Sequence, residues 1–249
     1  MQNEIKLEHY LPYIDSLPES KIITKDDVLN SNFLIEKDNN IEMYYAPHNE
    51  YINRDAKVVI VGITPGWTQM KAALLQAKIC LREGASTDQI LEQSKRAAGF
   101  AGTMRENLIK MLDECEMNKA FGLSSARQLF EKHFNLLHTT SVIKYPVFVK
   151  EKNYTGHTPK IGRSPLLTNY AYHIFLHELK EIKQDYLLVP LGKAVTEVIS
   201  DLAKQGEIPM ERCLFGFPHP SGANGHRRKQ FMQNKHQLQT IVKKFSQHI

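Results

Sequence analysis

Residues 217–230, FPHPSGANGHRRKQ, gather more chemically capable side chains than any other stretch of this 249-residue chain. The short apolar run 213–217 reads as a strand end, and Pro218, Pro220 and Gly222 then break regular structure and set a rigid turn. That turn carries a titratable ring, His219, a hydroxyl, Ser221, and an amide, Asn224. A cationic run, His226-Arg227-Arg228-Lys229, follows and opens a long helix that reaches the C-terminus. A helix start beside positive charge, with a ring and a hydroxyl in front of it, suits a phosphate-bearing substrate. The plainer reading is a structured turn followed by a solvated basic helix face.

A second stretch, Gly62-Ile63-Thr64-Pro65-Gly66-Trp67, follows the most apolar run of the chain, 57–63. Thr64 either caps the helix after it or holds a water. Pro65 and Gly66 make a tight strand-to-helix turn, and Gly66 also lets backbone N–H groups approach a base or phosphate closely. Trp67, the only tryptophan, either packs beside the loop or stacks on a base. Phe100, with Gly99 and Gly102 around it, is placed to stack on a planar ring or to cover the helix that follows.

The elements that must position these residues alternate between two periods. Strands are expected over 57–63, 139–143, 186–191 and 212–217. Helices are expected over 67–82, 89–97 behind a Ser86-Thr87-Asp88 cap, 104–116 behind Thr103, 124–133, 166–182, 192–205 and 226–247. Residues 150–165 read as a loop, with Lys150, Lys152, Lys160 and Arg163 as a second basic surface. Two short helices, 4–16 and 25–31, and an edge strand at 41–45 make residues 1–50 an N-terminal helical extension of a domain spanning 51–249. Strands alternating with helices imply a three-layer α/β/α sandwich around a central, mainly parallel four-stranded sheet. Ligands of such sheets bind at the carboxyl ends of the strands, where the 62–67, 140–146 and 219–224 segments all fall.

Composition narrows the class. The net charge of +5 is mildly basic and compatible with nucleic acid. Cys80, Cys115 and Cys213 lie far apart with no CxxC spacing, which argues against a zinc ribbon or iron–sulfur cluster and suits a reducing cytoplasm. No apolar run reaches the roughly 20 residues of a membrane span. GxSxG, P-loop and GxGxxG patterns are absent. No metal or other cofactor is expected.

Gly62-Ile63-Thr64-Pro65-Gly66, followed about 150 residues later by His219-Pro220-Ser221-Gly222, resembles the uracil-DNA glycosylase superfamily. Gly99-Phe100-Ala101-Gly102 looks like that family's aromatic stacking segment, and Thr140-Ser141-Val142-Ile143-Lys144 like its base-reading strand. The four pieces arrive in the family's order across residues 57–230. The resemblance implies DNA as partner and a flipped-out base whose glycosidic bond is hydrolysed. It implies water positioning by Thr64, donation to the leaving base by His219, stacking by Phe100, and a pocket lined by Ser141, Lys144 and the 62–67 loop. Ser221, Gly222, Asn224, His226, Arg227 and Arg228 would hold the DNA backbone. Two positions depart from the family: Thr64 stands where an Asp or Asn is usual, and Ser141 where an Asn reads the pyrimidine edge. Smaller side chains at both suggest either a wider pocket, for a base such as glucosylated hydroxymethylcytosine in phage DNA, or a binding protein that has lost catalysis. A hydrolase of free nucleosides or nucleotides is a third reading.

Overall fold

The computed structural model describes residues 5–18 and 23–247. In chain order it forms α1 (Leu7–Ser16), β1 (Leu34–Asp38), β2 (Ile41–Tyr44), β3 (Val58–Gly62), α2 (Trp67–Arg82), α3 (Thr87–Ala98), α4 (Thr103–Glu114) and α5 (Met117–Ala120). It continues with β4 (Leu137–Ser141), β5 (Val147–Val149), β6 (Lys152–Asn153) and α6 (Pro165–Asn169), which runs through a π-helical turn into α7 (Phe175–Lys180). β7 (Leu187–Pro190), α8 (Lys193–Lys204) and α9 (Arg227–Ser246) complete it. The fold is mixed α/β.

The run VVIVG of β3 is buried at every residue, as a strand covered on both faces must be. It is the middle of a parallel sheet of order β4-β3-β7. Val58 to Gly62 face Leu137 to Ser141 on one side, and Val58 to Val61 face Leu187 to Pro190 on the other. Alternate residues of β3 enter different cores. Val59 and Val61 pack with residues of α1, α2, α6, α7 and α8. Val58 and Ile60 pack with α4, α5 and α9. Cys80, Cys115 and Cys213 are free and buried. No described helix is long and apolar enough to cross a membrane.

Two expectations need correction. The fourth parallel strand, 212–217, is reduced to one bridge between Leu188 and Cys213. The chain curls away there because Phe215 N–H turns back on Cys213 O and Gly216 takes a φ of +88°. The N-terminal region is also not helical throughout. Residues 25–31 are turns and bends, β1 is an unexpected strand, and the strand expected at 41–45 is present as β2; both strands belong to a second, antiparallel sheet of order β1-β2-β5-β6. That sheet ties the N-terminal residues to β5, so they are part of the body and not an appendage. Residue 4, the start of the expected first helix, lies outside the described residues. Elsewhere the expected helices α2, α3, α8 and α9 fall within one or two residues of their observed bounds. The 124–133 segment is 3₁₀ and shorter, at Ala126–Phe130.

The starts of β3 and β4 are stapled by one amide. Buried Asn53 donates through Nδ2 to Asn135 O at 2.9 Å, Leu137 O at 2.9 Å and Phe134 O at 3.3 Å. Its Oδ1 accepts from Asp55 N–H at 3.2 Å. Asn53→Ala strands buried carbonyls without a donor, so we expect a loss of about 2 kcal/mol in urea unfolding. A loss below about 0.5 kcal/mol, the range of an ordinary surface change, would contradict this role.

Candidate functional site

Gly62 ends β3 and Ser141 ends β4, and the two stand opposite in the parallel register. The Phe100 ring closes on both. A methyl added at Gly62 would lie 3.4 Å from Phe100 Cε1 and 3.4 Å from Ser141 Oγ. Phe100 holds a φ of +51°, a left-handed conformation that bulky residues seldom adopt and that accumulates at ligand sites. Around this meeting point lies a pocket of about 10 Å³. It is lined by Pro65, Gln69, Gly99, Phe100 and residues 139–141, with His48 and Asn49 from the segment before β3. The volume is that of a single water molecule. Gly99 keeps this lining close, since a Cβ would sit 3.0 Å from Thr139 Oγ1 and 3.2 Å from Lys95 O, tight enough to push the strand or the helix end outward.

The walls are polar, and several of their groups have no partner. His48 is 2% exposed, and neither ring nitrogen makes a hydrogen bond. The buried hydroxyls of Thr139 and Thr140 are also unpaired. Burial, with Lys95 nearby, pushes the His48 ring well below its usual pKa and keeps it neutral. Lys95, 1% exposed, donates to Asn49 Oδ1 at 2.9 Å and to Thr139 O at 2.6 Å. Its burial pulls the ammonium down to about 7, against the opposing pull of Glu178. Asn49 is thereby fixed from both ends, as its Nδ2 donates to Lys144 O at 2.6 Å.

A second buried group lies behind this one. Glu178 Oε1 meets His138 Nε2 at 2.9 Å, and Lys144 Nζ stands 3.7 Å from Glu178 Oε2. His138 Nδ1 accepts from Asn53 N–H at 3.4 Å, so Nε2 carries the proton. Burial keeps His138 neutral. Burial alone would raise Glu178, but the His138 N–H and the Lys144 and Lys95 charges outweigh it and hold the carboxylate below its usual range.

The proline-rich turn lies over the other side of the sheet. Gly192, at the end of β7, takes a φ of +85°, and a side chain there would come 3.1 Å from His219 Cβ. Gly192 N–H also bonds Phe217 O at 3.0 Å. His219 Nδ1 accepts from Ser221 N–H at 3.2 Å. A backbone amide can only donate, so the ring proton must be on Nε2. Burial lowers the ring's pKa, and the neutral tautomer presents Nε2–H as a donor. The turn is braced by Asn107 Nδ2 to Pro220 O at 2.9 Å, Asn224 Nδ2 to His219 O at 3.2 Å and Arg227 to Ser221 O at 2.7 Å.

The structure thus brings Gly62, Pro65, Phe100 and Ser141 together, with His219 beyond β3 on the neighbouring strand end. Other expected site residues are committed elsewhere. The Thr64 hydroxyl donates to Tyr145 O at 2.7 Å and accepts from Val147 N–H at 3.1 Å, which leaves it no proton to offer a water. Gly66 N–H bonds Gln69 Oε1 and Trp67 N–H bonds Asn153 Oδ1, so neither amide is open to a phosphate. Ile63 and Trp67 pack against the core. Lys144 turns away from the pocket toward Glu178 and lines a separate groove of about 880 Å³. Ser221 Oγ accepts from Ala223 N–H, and Arg228 pairs with Glu114, the anion that offsets positive charge at the start of α9. Gly222 and His226 are exposed on the turn. The wider pocket expected from small residues at 64 and 141 is not seen: the space beside Ser141 is about 10 Å³, and the Thr64 hydroxyl is held by the 145–147 backbone. Among the described residues no group of three or more His, Cys, Asp or Glu side chains could hold a metal ion.

Sequence reasoning missed His48, Asn49, Gln69, Lys95 and Thr139. Lys95 carried a signal: it lies one turn from Leu91 and on the face of α3 that buries Ile90, Ser94 and Ala98, where a solvated lysine does not belong. His48 and Asn49 carried none beyond their place in a polar loop.

No protein-family model matches the chain, and no solved structure matches it. It is 48% identical over 244 residues to the uncharacterized protein YoxB of Bacillus subtilis (strain 168), an alignment that covers 98% of this chain and 94% of YoxB. The chain belongs to the same family as YoxB.

The buried lysine makes a prediction of unusual sign. Lys95 has a folded-state pKa near 7 against an ordinary 10.5, so between these values the unfolded chain binds more protons and stability rises with pH. Unfolding free energies from urea titrations should rise from pH 7 to 9, by on the order of 1 kcal/mol per pH unit. The rise should vanish in Lys95→Met. The same slope in both proteins would show that Lys95 stays charged in the fold.

Proposed function

We propose that this member of the YoxB family is a DNA glycosylase that hydrolyses the N-glycosidic bond of a flipped-out pyrimidine. One observation carries the reading: Pro65, Phe100 and Ser141, grouped in the sequence only by resemblance, line a single polar pocket at the carboxyl edge of the sheet, and Gly62 stands beside Phe100 and Ser141. The strand order supports a sandwich of the uracil-DNA glycosylase type. β3 is central, its crossover leads to β4 on one side, and that of β7 leads to Cys213 on the other. The loops diverge between β3 and β7, where such sheets bind ligands.

The chemistry follows from the groups present. The flipped base stacks on Phe100 with its edge toward residues 139–141. Opening the closed pocket falls to Phe100, whose left-handed backbone next to Gly99 is the strained part of the wall. His219 stands over β7, two strands from β4 and therefore roughly 10 Å away, the scale of a nucleoside. As the C1′–N bond breaks, its electron pair moves onto the base, and the His219 Nε2–H donates to the base oxygen that gains the charge. The cationic sugar, opposed by the DNA phosphates, is captured by water. Its proton passes to solvent, so no strong base is required of Thr64. The exposed tip, with Gly222, Gly225, His226 and Lys229, faces the DNA backbone.

A second reading, base binding without cleavage, is favoured by the committed Thr64 hydroxyl and by the lack of any carboxylate among the residues lining the pocket. One assay separates the two. DNA containing uracil, hypoxanthine or hydroxymethylcytosine is incubated with the protein and treated with alkali to cut at vacated sugars. We expect cleavage of a pyrimidine substrate that falls by roughly 10²–10³-fold in His219→Ala, with DNA affinity retained. Salt-dependent binding with no cleavage transfers the reading to a non-catalytic binder. Neither binding nor cleavage removes both.

A further inference from the structure

We propose that His48 and Thr139 together form a seat for one exocyclic oxygen or nitrogen of the pyrimidine, reading the base edge that Ser141 is too short to span. The inference rests on the base-binding reading above and assigns the selectivity of that pocket to residues outside its resemblance.

Three observations converge. His48 and Thr139 are 2% and 3% exposed, and both line the pocket. Neither ring nitrogen of His48 and not the Thr139 hydroxyl finds a hydrogen-bond partner among the described residues. Buried polar groups almost always have partners, so several orphans around one space indicate a polar atom that belongs there. The space itself, about 10 Å³, fits one heteroatom and not a ring. The tip of a base edge has that size.

The surroundings hold the seat in shape. Side chains alternate along β4, so Thr139 and Ser141 share a face. Gly99 leaves the Thr139 hydroxyl uncovered, since any side chain there would press on it at 3.0 Å. Lys95 grips Thr139 O and Asn49 Oδ1, fixing the strand and the residue after His48 in one arrangement. Lys95 and Asn49 are positioning residues; His48 and Thr139 make the contact. A neutral imidazole offers one donor and one acceptor, and a hydroxyl offers both, so the seat accepts a carbonyl or an amino group. That suits uracil or cytosine.

The test uses the free bases and needs no cleavage, so it is independent of the abasic-site result. Binding of uracil and cytosine to the full chain is measured by ligand-observed NMR, alongside thermal melts without ligand. Thr139→Val has the same shape and removes only the unpaired hydroxyl. It should melt at the same or a higher temperature and bind at least about tenfold more weakly, the cost of one lost buried hydrogen bond. His48→Phe should weaken binding by a similar factor. The proposal is overturned if neither base binds the unaltered chain, if both variants bind as well as it does, or if Thr139→Val melts lower, which would mean that its hydroxyl had a partner inside the protein.

Discussion

The ammonium of Lys95 has no water to solvate it, and the protein must supply everything that water would have given. It does so with Asn49 from before the sheet and Thr139 O from within it. Asn49 in turn must satisfy its own amide on Lys144 O, and Lys144 leans on Glu178, which holds His138, which accepts from the Asn53 backbone. Burying a charge is costly unless it is paired, so this chain of contacts fixes helix, strand and loop against one another. Lys95 has both of its buried contacts made, while His48 and Thr139 beside it stay bare where a ligand would meet them.

The parts of the fold set by local periodicity were legible. A run such as VVIVG has one reading, and the helices with a good cap and an apolar stripe fall close to their expected bounds. Of the antiparallel sheet only β2 was legible, as the strand expected at 41–45; its partners are two to five residues long and their alternation is too brief to register. The lost fourth strand failed for a different reason. Cys213 to Phe217 are apolar enough, but Gly216 and the turn over it divert the chain after one bridge. Around the site, residue type proved a better guide than residue role. Thr64 sits at the right strand end, yet its hydroxyl is spent on the backbone of residues 145 and 147, a contact across some 80 positions that no local pattern encodes.

The histidine loop shows how backbone decides chemistry. Ser221 N–H fixes which nitrogen of His219 is protonated, and Gly192 permits the ring to come down over β7. Arg227, which looks like a phosphate ligand in the sequence, spends one of its amino groups on the carbonyls of that same loop. The loop's rigidity and its positive charge therefore come partly from one side chain, so the two properties cannot be altered separately at this position.

The central position of β3 also dictates an order of events during synthesis. Its partners β4 and β7 begin at Leu137 and Leu187, the second of them 125 residues (187 − 62) after the strand ends at Gly62. At translation speeds of roughly 5–20 residues per second, the most apolar segment of the chain waits on the order of 6–25 s for its second neighbour. Until β4 emerges VVIVG is an unpaired, uncharged strand, and until β7 emerges one of its edges stays open, the kind of exposed apolar edge that invites aggregation and that chaperones shield.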